Sequence, residues 1–110
     1  MDPLLNKAAL PSAEKIPVDD YVLDVLMRDI VGHDRNPAAY LVYLHLYGRS
    51  ARTKWRQVTA SLRTIADATG LSKSAVQTAL RRLHRRELIS SSAAGPTSTP
   101  RHRILRHWRS

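Results

Sequence analysis

Residues 61–89 read SLRTIADATGLSKSAVQTALRRLHRRELI, and the fold turns on how this stretch is understood. Ser61 stands where a side-chain oxygen caps a first helix over residues 62–69. Gly70 then breaks that helix, because glycine enters the left-handed backbone region without steric cost. Leu71 faces inward, and Ser72 caps a second helix that runs to about Glu87. The apolar residues agree with this division. Leu62, Ile65 and Ala66 line one side of the first helix, and Val76, Ala79, Leu80 and Leu83 follow the i, i+3, i+4, i+7 rule on the second. Two helices that cross steeply need a small side chain where they touch. Ala66 meets that need, and Val76 closes the corner from the second helix.

Two short amphipathic helices joined by a Gly-containing turn make a helix-turn-helix. The order Ala66, Gly70, Val76 resembles the core signature of bacterial DNA-binding units of this kind. The stretch TGLSKSAVQTALRRL is similar to the winged helix-turn-helix regulators, a likeness that spans residues 55–108. The resemblance implies a mainly α fold with a small β-hairpin wing (α+β) and duplex DNA as the partner; an extra N-terminal helix is read from the residues ahead of it. At one point the chain departs from the family. A glycine usually precedes the last apolar pair, whereas here Glu87 precedes Leu88 and Ile89. A left-handed residue there costs a non-glycine side chain about 1 kcal/mol, so a differently built helix end is expected.

The charge distribution points to the same partner. Residues 1–48 hold 4 Lys/Arg against 7 Asp/Glu, and residues 49–110 hold 14 against 2. Solubility calls for interspersed signs, whereas a segregated basic half is the electrostatic footprint of a nucleic-acid binder. A chain of 110 residues suits one domain with a modest core. The absence of cysteine excludes disulfide and thiolate chemistry. The N-terminus lacks a basic start followed by a long apolar run, so no signal peptide is expected. The longest apolar stretch, residues 38–44, falls far short of the ~20 residues that span a bilayer. A cytoplasmic, nucleoid-associated protein of bacterial type is the resulting expectation.

Outward from the motif, residues 1–16 read as a flexible arm punctuated by proline, and residues 17–110 as the DNA-binding domain. A helix is expected over residues 18–31, with Asp19, Asp20 and Asp24 favoured by its N-terminal dipole, Val18, Tyr21, Val22, Val25, Leu26 and Ile30 as its stripe, and Gly32 as its stop. Asn36 caps and Pro37 opens a third helix reaching Arg49 or slightly beyond. That helix is apolar nearly all round, which demands burial on more than one side. Tyr40, Tyr43 and Tyr47 share one of its faces and read as core residues with hydroxyls at the rim. Residues 49–56 form a basic connector, and residues 55–60 hold a short strand. Residues 88–108 read as the wing, with a loop centred on Gly95-Pro96 and a returning strand from Arg101 to Trp108.

In motifs of this type the N-terminal part of the second helix enters the major groove. Ser72, Lys73, Ser74, Gln77, Thr78 and Arg81 are therefore the candidates for base contact, since Gln pairs bidentately with adenine and Lys or Arg with guanine. Arg63, Arg82, Arg85, Arg101 and Arg103 are the candidates for the DNA backbone, with Arg86 as a further phosphate contact or a solvated charge. His102 and His107 are placed on the wing as possible phosphate ligands, and His45 and His84 read as structural. No catalytic, metal-binding or cofactor-binding constellation stands out, so an enzyme is not expected. A small transcriptional regulator, dimeric through its N-terminal helices, is the leading expectation. The alternatives are a DNA-binding module of a plasmid or phage replication initiator, and a winged protein-interaction module that leaves DNA untouched.

Overall fold

The computed structural model describes residues 14–109. Four helices are followed, and partly interleaved, by three short strands: α1 (Val22–His33), α2 (Pro37–Arg52), β1 (Val58–Thr59), α3 (Leu62–Thr69), α4 (Lys73–Arg85), β2 (Ile89–Ser92) and β3 (Arg101–Ile104). The strands form one antiparallel sheet in the order β1-β3-β2. The architecture is that of a winged helix-turn-helix with an added N-terminal helix. No helix is long and apolar enough to cross a membrane among the described residues.

Local chemistry sets the helix starts. Asn36 accepts a hydrogen bond from the Ala39 N–H at 3.0 Å, Ser61 from Thr64 at 3.1 Å and Ser72 from Ala75 at 3.1 Å. Each satisfies one backbone donor that a helix N-terminus otherwise leaves unpaired. Gly70 takes φ = 78° at the end of α3. At the end of α4 the chain keeps the left-handed residue despite lacking the glycine. Glu87 adopts φ = 57°, the Leu88 N–H donates to Leu83 O at 2.9 Å, and the Glu87 N–H donates to His84 O at 3.0 Å. These paired bonds are the Schellman closure, sealed by Leu83 and Leu88, both fully buried. The expected alternative ending is therefore not used. Two backbone bonds and one apolar contact together outweigh about 1 kcal/mol of backbone strain.

α2 is the central strut. Ala39, Tyr40, Val42, Tyr43, Leu46 and Tyr47 are buried, packed among residues from α1, α3, α4 and the sheet. The three tyrosine hydroxyls lie inside the fold and not at its rim, and all are satisfied. Tyr40 donates to Val22 O at 2.8 Å, Tyr43 donates to Leu105 O at 3.1 Å, and Tyr47 accepts from the Asp19 N–H at 3.1 Å. After α2 the connector turns sharply through Lys54 and Trp55, both at positive φ. The Trp55 ring lies edge-on to Tyr47 and beneath the Arg106 guanidinium, 3.5 Å away.

Three expectations at the periphery need correction. α1 is π-helical over Val22–His33, running through Gly32, and is preceded by helical Asp20 and Tyr21; the Asp34 N–H reaches back five residues to Asp29 O. Its buried stripe is Val22, Leu26 and Ile30, and Val18 is exposed. Asp19 stands before the helix, and its carboxylate is held by the Trp108 indole at 2.9 Å and by Arg109 at 2.8 and 3.1 Å. Finally, the returning wing strand stops at Ile104. The chain then leaves the sheet so that Trp108 can stack on Tyr21, with ring centroids 4.7 Å apart. The Asp19 clamp accounts for the second displacement, since it ties the tail to the α1 start and off the sheet. The proposed arm falls mainly outside the described residues.

Candidate nucleic-acid interface

α4 separates its faces cleanly. Val76, Ala79, Leu80 and Leu83 are buried, and Ser72, Lys73, Ser74, Gln77, Thr78, Arg81 and Arg85 are exposed. The outward surface carries no acidic side chain from Ser72 to Arg86. At the leading end, Ser72 Oγ is committed to its cap and also lies 3.3 Å from Ser74 Oγ. Lys73 and Gln77 extend from the next positions into solvent. Further along, Arg81 donates to Thr78 Oγ1, one turn earlier on the helix, at 3.2 Å.

The arginines at the far end divide into two groups. Arg85 is exposed, whereas Arg86 turns back into the fold. Arg86 grips Asp34 with both arms of its guanidinium, Nη2 at 2.8 Å from Oδ1 and Nε on Oδ2. This ion pair joins the end of α1 to the end of α4, so Arg86 is a structural residue and not a phosphate contact. The hydrogen bond from Arg86 holds the Asp34 carboxyl at about 2, below its ordinary range, against the opposing effect of burial. Arg82 lies at the edge of the same pair, its Nε 4.0 Å from Asp34 Oδ2. Asp34 thus orients Arg82 without consuming it.

Thr78, Arg81, Arg82 and Arg85 line a cleft of about 80 Å³ together with Asn36, the residue that caps α2. Asn36 was not anticipated here. Its cap signal was legible, but its proximity to α4, some forty positions away, depends on the tertiary fold. On α3, Arg63 is exposed and makes only a long 3.9 Å contact with Asp67, also exposed. A pair of this kind contributes little and separates readily.

On the wing, β3 alternates strictly. Arg101 and Arg103 point outward, and His102 and Ile104 inward. Arg103 pairs in register with Ser90, and Arg101 with Ser92 and Thr59. Both arginines therefore project from the outer face among small polar neighbours. His102 is only 2% exposed, so it is not a phosphate ligand. A carbonyl oxygen can only accept, so His102 Nε2–H donates to Ala60 O at 3.2 Å. Its bare Nδ1 then accepts from the Ser91 hydroxyl at 2.6 Å, and Ser91 Oγ in turn accepts from His84 Nε2 at 3.0 Å. The chain of bonds ties α4, the wing and the lead-in to α3 together. Burial lowers the His102 pKa, keeping the ring neutral as this pattern requires.

The geometry is matched by sequence comparison. Residues 36–89 fit the family model of a helix-turn-helix domain. This match identifies residues 36–89 as a helix-turn-helix domain, which supports DNA binding at a general level. The match runs from the Asn36 cap to the first residue of β2 and so contains the whole three-helix unit α2–α3–α4. α1 and the returning wing strand lie outside it. Domains of this family are typically not enzymes. No curated protein and no solved structure matches the chain.

Proposed function

We propose that the protein is a sequence-specific duplex-DNA binder acting as a small transcriptional regulator. The observation that carries this reading is the outer face of α4, which is wholly polar, rich in cations and free of carboxylates. α4 lies in the major groove with its N-terminal end leading. Lys73, Ser74 and Gln77 read base edges, with Ser72 beside them mainly as the cap. Each good bidentate contact supplies about 1–3 kcal/mol of discrimination. Arg63 from α3 and Arg101 and Arg103 from the wing hold the backbone on either side and fix register without reading sequence. The protein works as a homodimer on paired half-sites, in the cytoplasm.

The test is fluorescence anisotropy with duplex DNA across a salt series, comparing fragments of the protein's own genomic locus with scrambled duplex. Log affinity is expected to fall with log salt by about 0.9 per phosphate neutralised, with a locus fragment preferred by ~10³-fold or more. A steep slope without preference would reduce the protein to a non-specific binder. Absence of binding at low salt would overturn the reading in favour of a protein-interaction module. If the preferred fragment is an array of repeats at a replication origin, the role is initiation and not transcription.

A further inference from the structure

The cleft between α2 and α4 has features that surface arginines alone do not explain. Three arginines, Arg81, Arg82 and Arg85, line one concavity of about 80 Å³. Like charges brought together without a carboxylate between them repel, and exposed arginines with long flexible stems would normally spread apart. Two of the three are instead held in place. Thr78 Oγ1 accepts from Arg81, and Asp34 lies 4.0 Å from Arg82. The Asp34 charge is already matched by the two-armed Arg86 contact, so it positions Arg82 without neutralising the cleft. Asn36 adds a neutral wall: its carboxamide oxygen is used by the Ala39 N–H, which leaves its NH2 group as a donor.

The volume restricts what this arrangement holds. Sites for nucleotides and other drug-sized ligands run to about 300–1,000 Å³, several times larger than this cleft. A single tetrahedral oxyanion fits, and guanidinium groups are the side chains that grip one with paired, charge-assisted hydrogen bonds. We propose that the Asn36–Thr78–Arg81–Arg82–Arg85 cleft is a preformed seat for one backbone phosphate of duplex DNA. Arg81 therefore binds phosphate instead of reading a base, and Thr78 serves as its positioning residue. Asn36 becomes part of the interface, linking the start of α2 to the same phosphate. Seating one phosphate between two helices fixes how deeply α4 enters the groove, leaving Lys73, Ser74 and Gln77 to read sequence. This inference rests on the DNA-binding reading but assigns a site of its own.

Two experiments separate the site from that reading. In the first, the folded protein is titrated with inorganic phosphate while 15N NMR follows the Asn36 side-chain NH2 and the arginine Nε–H groups. Saturable shifts confined to Asn36, Arg81, Arg82 and Arg85, and lost in Arg85→Gln, are expected whether or not DNA binds. No localised shift, or equal shifts at the exposed Arg28 of α1, overturns the proposal. In the second, Arg81→Gln and Arg85→Gln are compared with Arg52→Gln, an exposed arginine at the far end of α2, by anisotropy across salt, after thermal melts have shown each variant folded. Each cleft variant is expected to weaken preferred and scrambled duplexes by the same factor and to lower the salt slope, by no more than about 0.9. A loss in Arg81→Gln confined to the preferred duplex, with the slope unchanged, makes Arg81 a base reader and overturns the assignment. If wild-type protein fails to bind any duplex, the functional reading falls, and the phosphate titration alone decides whether the cleft is an oxyanion site.

Discussion

Glu87 is the residue at which this chain most visibly works against its own backbone. Its φ of 57° is forced by the Schellman closure beneath it, since Leu88 cannot reach Leu83 O any other way. Glu87→Gly should raise stability by about 1 kcal/mol, less the small extra entropy that glycine adds to the unfolded chain. Gly70→Ala should cost a similar amount. A Cβ there meets nothing within 4 Å, so its penalty is purely conformational at φ = 78°. Urea midpoints read both effects, and a stabilised Gly70→Ala protein would disprove the account. The caps at Asn36, Ser61 and Ser72 were legible in sequence because each acts on a donor three residues away. The Asp34–Arg86 pair was not, because its partners are 52 residues apart and nothing local to either predicts the other.

The same divide between local and distant causes governs the elements. α3 and α4 are set by apolar period, cap and turn, so their positions follow from residues 61–89 with only small shifts at the ends. The end of β3 was misplaced because the Asp19–Trp108–Arg109 clamp acts between residues 89 and 90 positions apart. The inward turn of His102 was readable in principle, since β3 alternates with period two and Ile104 must face the core. Burial lowers the His102 pKa below its ordinary 6.5, so the unfolded chain takes up a proton at higher pH than the folded one. Stability contributed by the His84–Ser91–His102–Ala60 link is therefore complete above about pH 6.5 and declines as pH falls, until the folded ring also protonates. Urea unfolding at pH values on either side of this range should show the decline. His102→Gln, which retains one donor and one acceptor, should flatten it in part. The remainder belongs to His45, whose pKa is also lowered by burial and by Arg49 and Arg52. A wild-type protein equally stable at both pH values would sink this link.

For the molecule as a whole, the motif was legible in the sequence, while the sequence left open what becomes of the surplus apolar residues. The core absorbs nearly all of those on α2, with Leu41 left out. On α1, however, Leu23, Met27 and Val31 are 48%, 43% and 36% exposed, four residues apart in a row beside the buried stripe. Exposed Asp20 and Asp24 lie toward the start of this row, and exposed Arg28 and Arg35 toward its end. Two copies related by a two-fold axis place the acidic end of one α1 opposite the basic end of the other, with Met27 near the centre, which is the self-complementarity an isologous contact requires. Fully burying a side chain of this size contributes about 1.5–3 kcal/mol; with less than half of each still exposed, less than half of that remains for each of the six side chains the pair supplies. Sedimentation at micromolar concentration should therefore find a dimer, and Met27→Glu should convert it to a folded monomer. The monomer should bind a single half-site as wild type does but lose the advantage of paired half-sites about one helical turn apart. A wild-type protein that is monomeric at micromolar concentration would remove α1 as the dimer contact, and Met27→Glu would then leave paired-site binding unchanged.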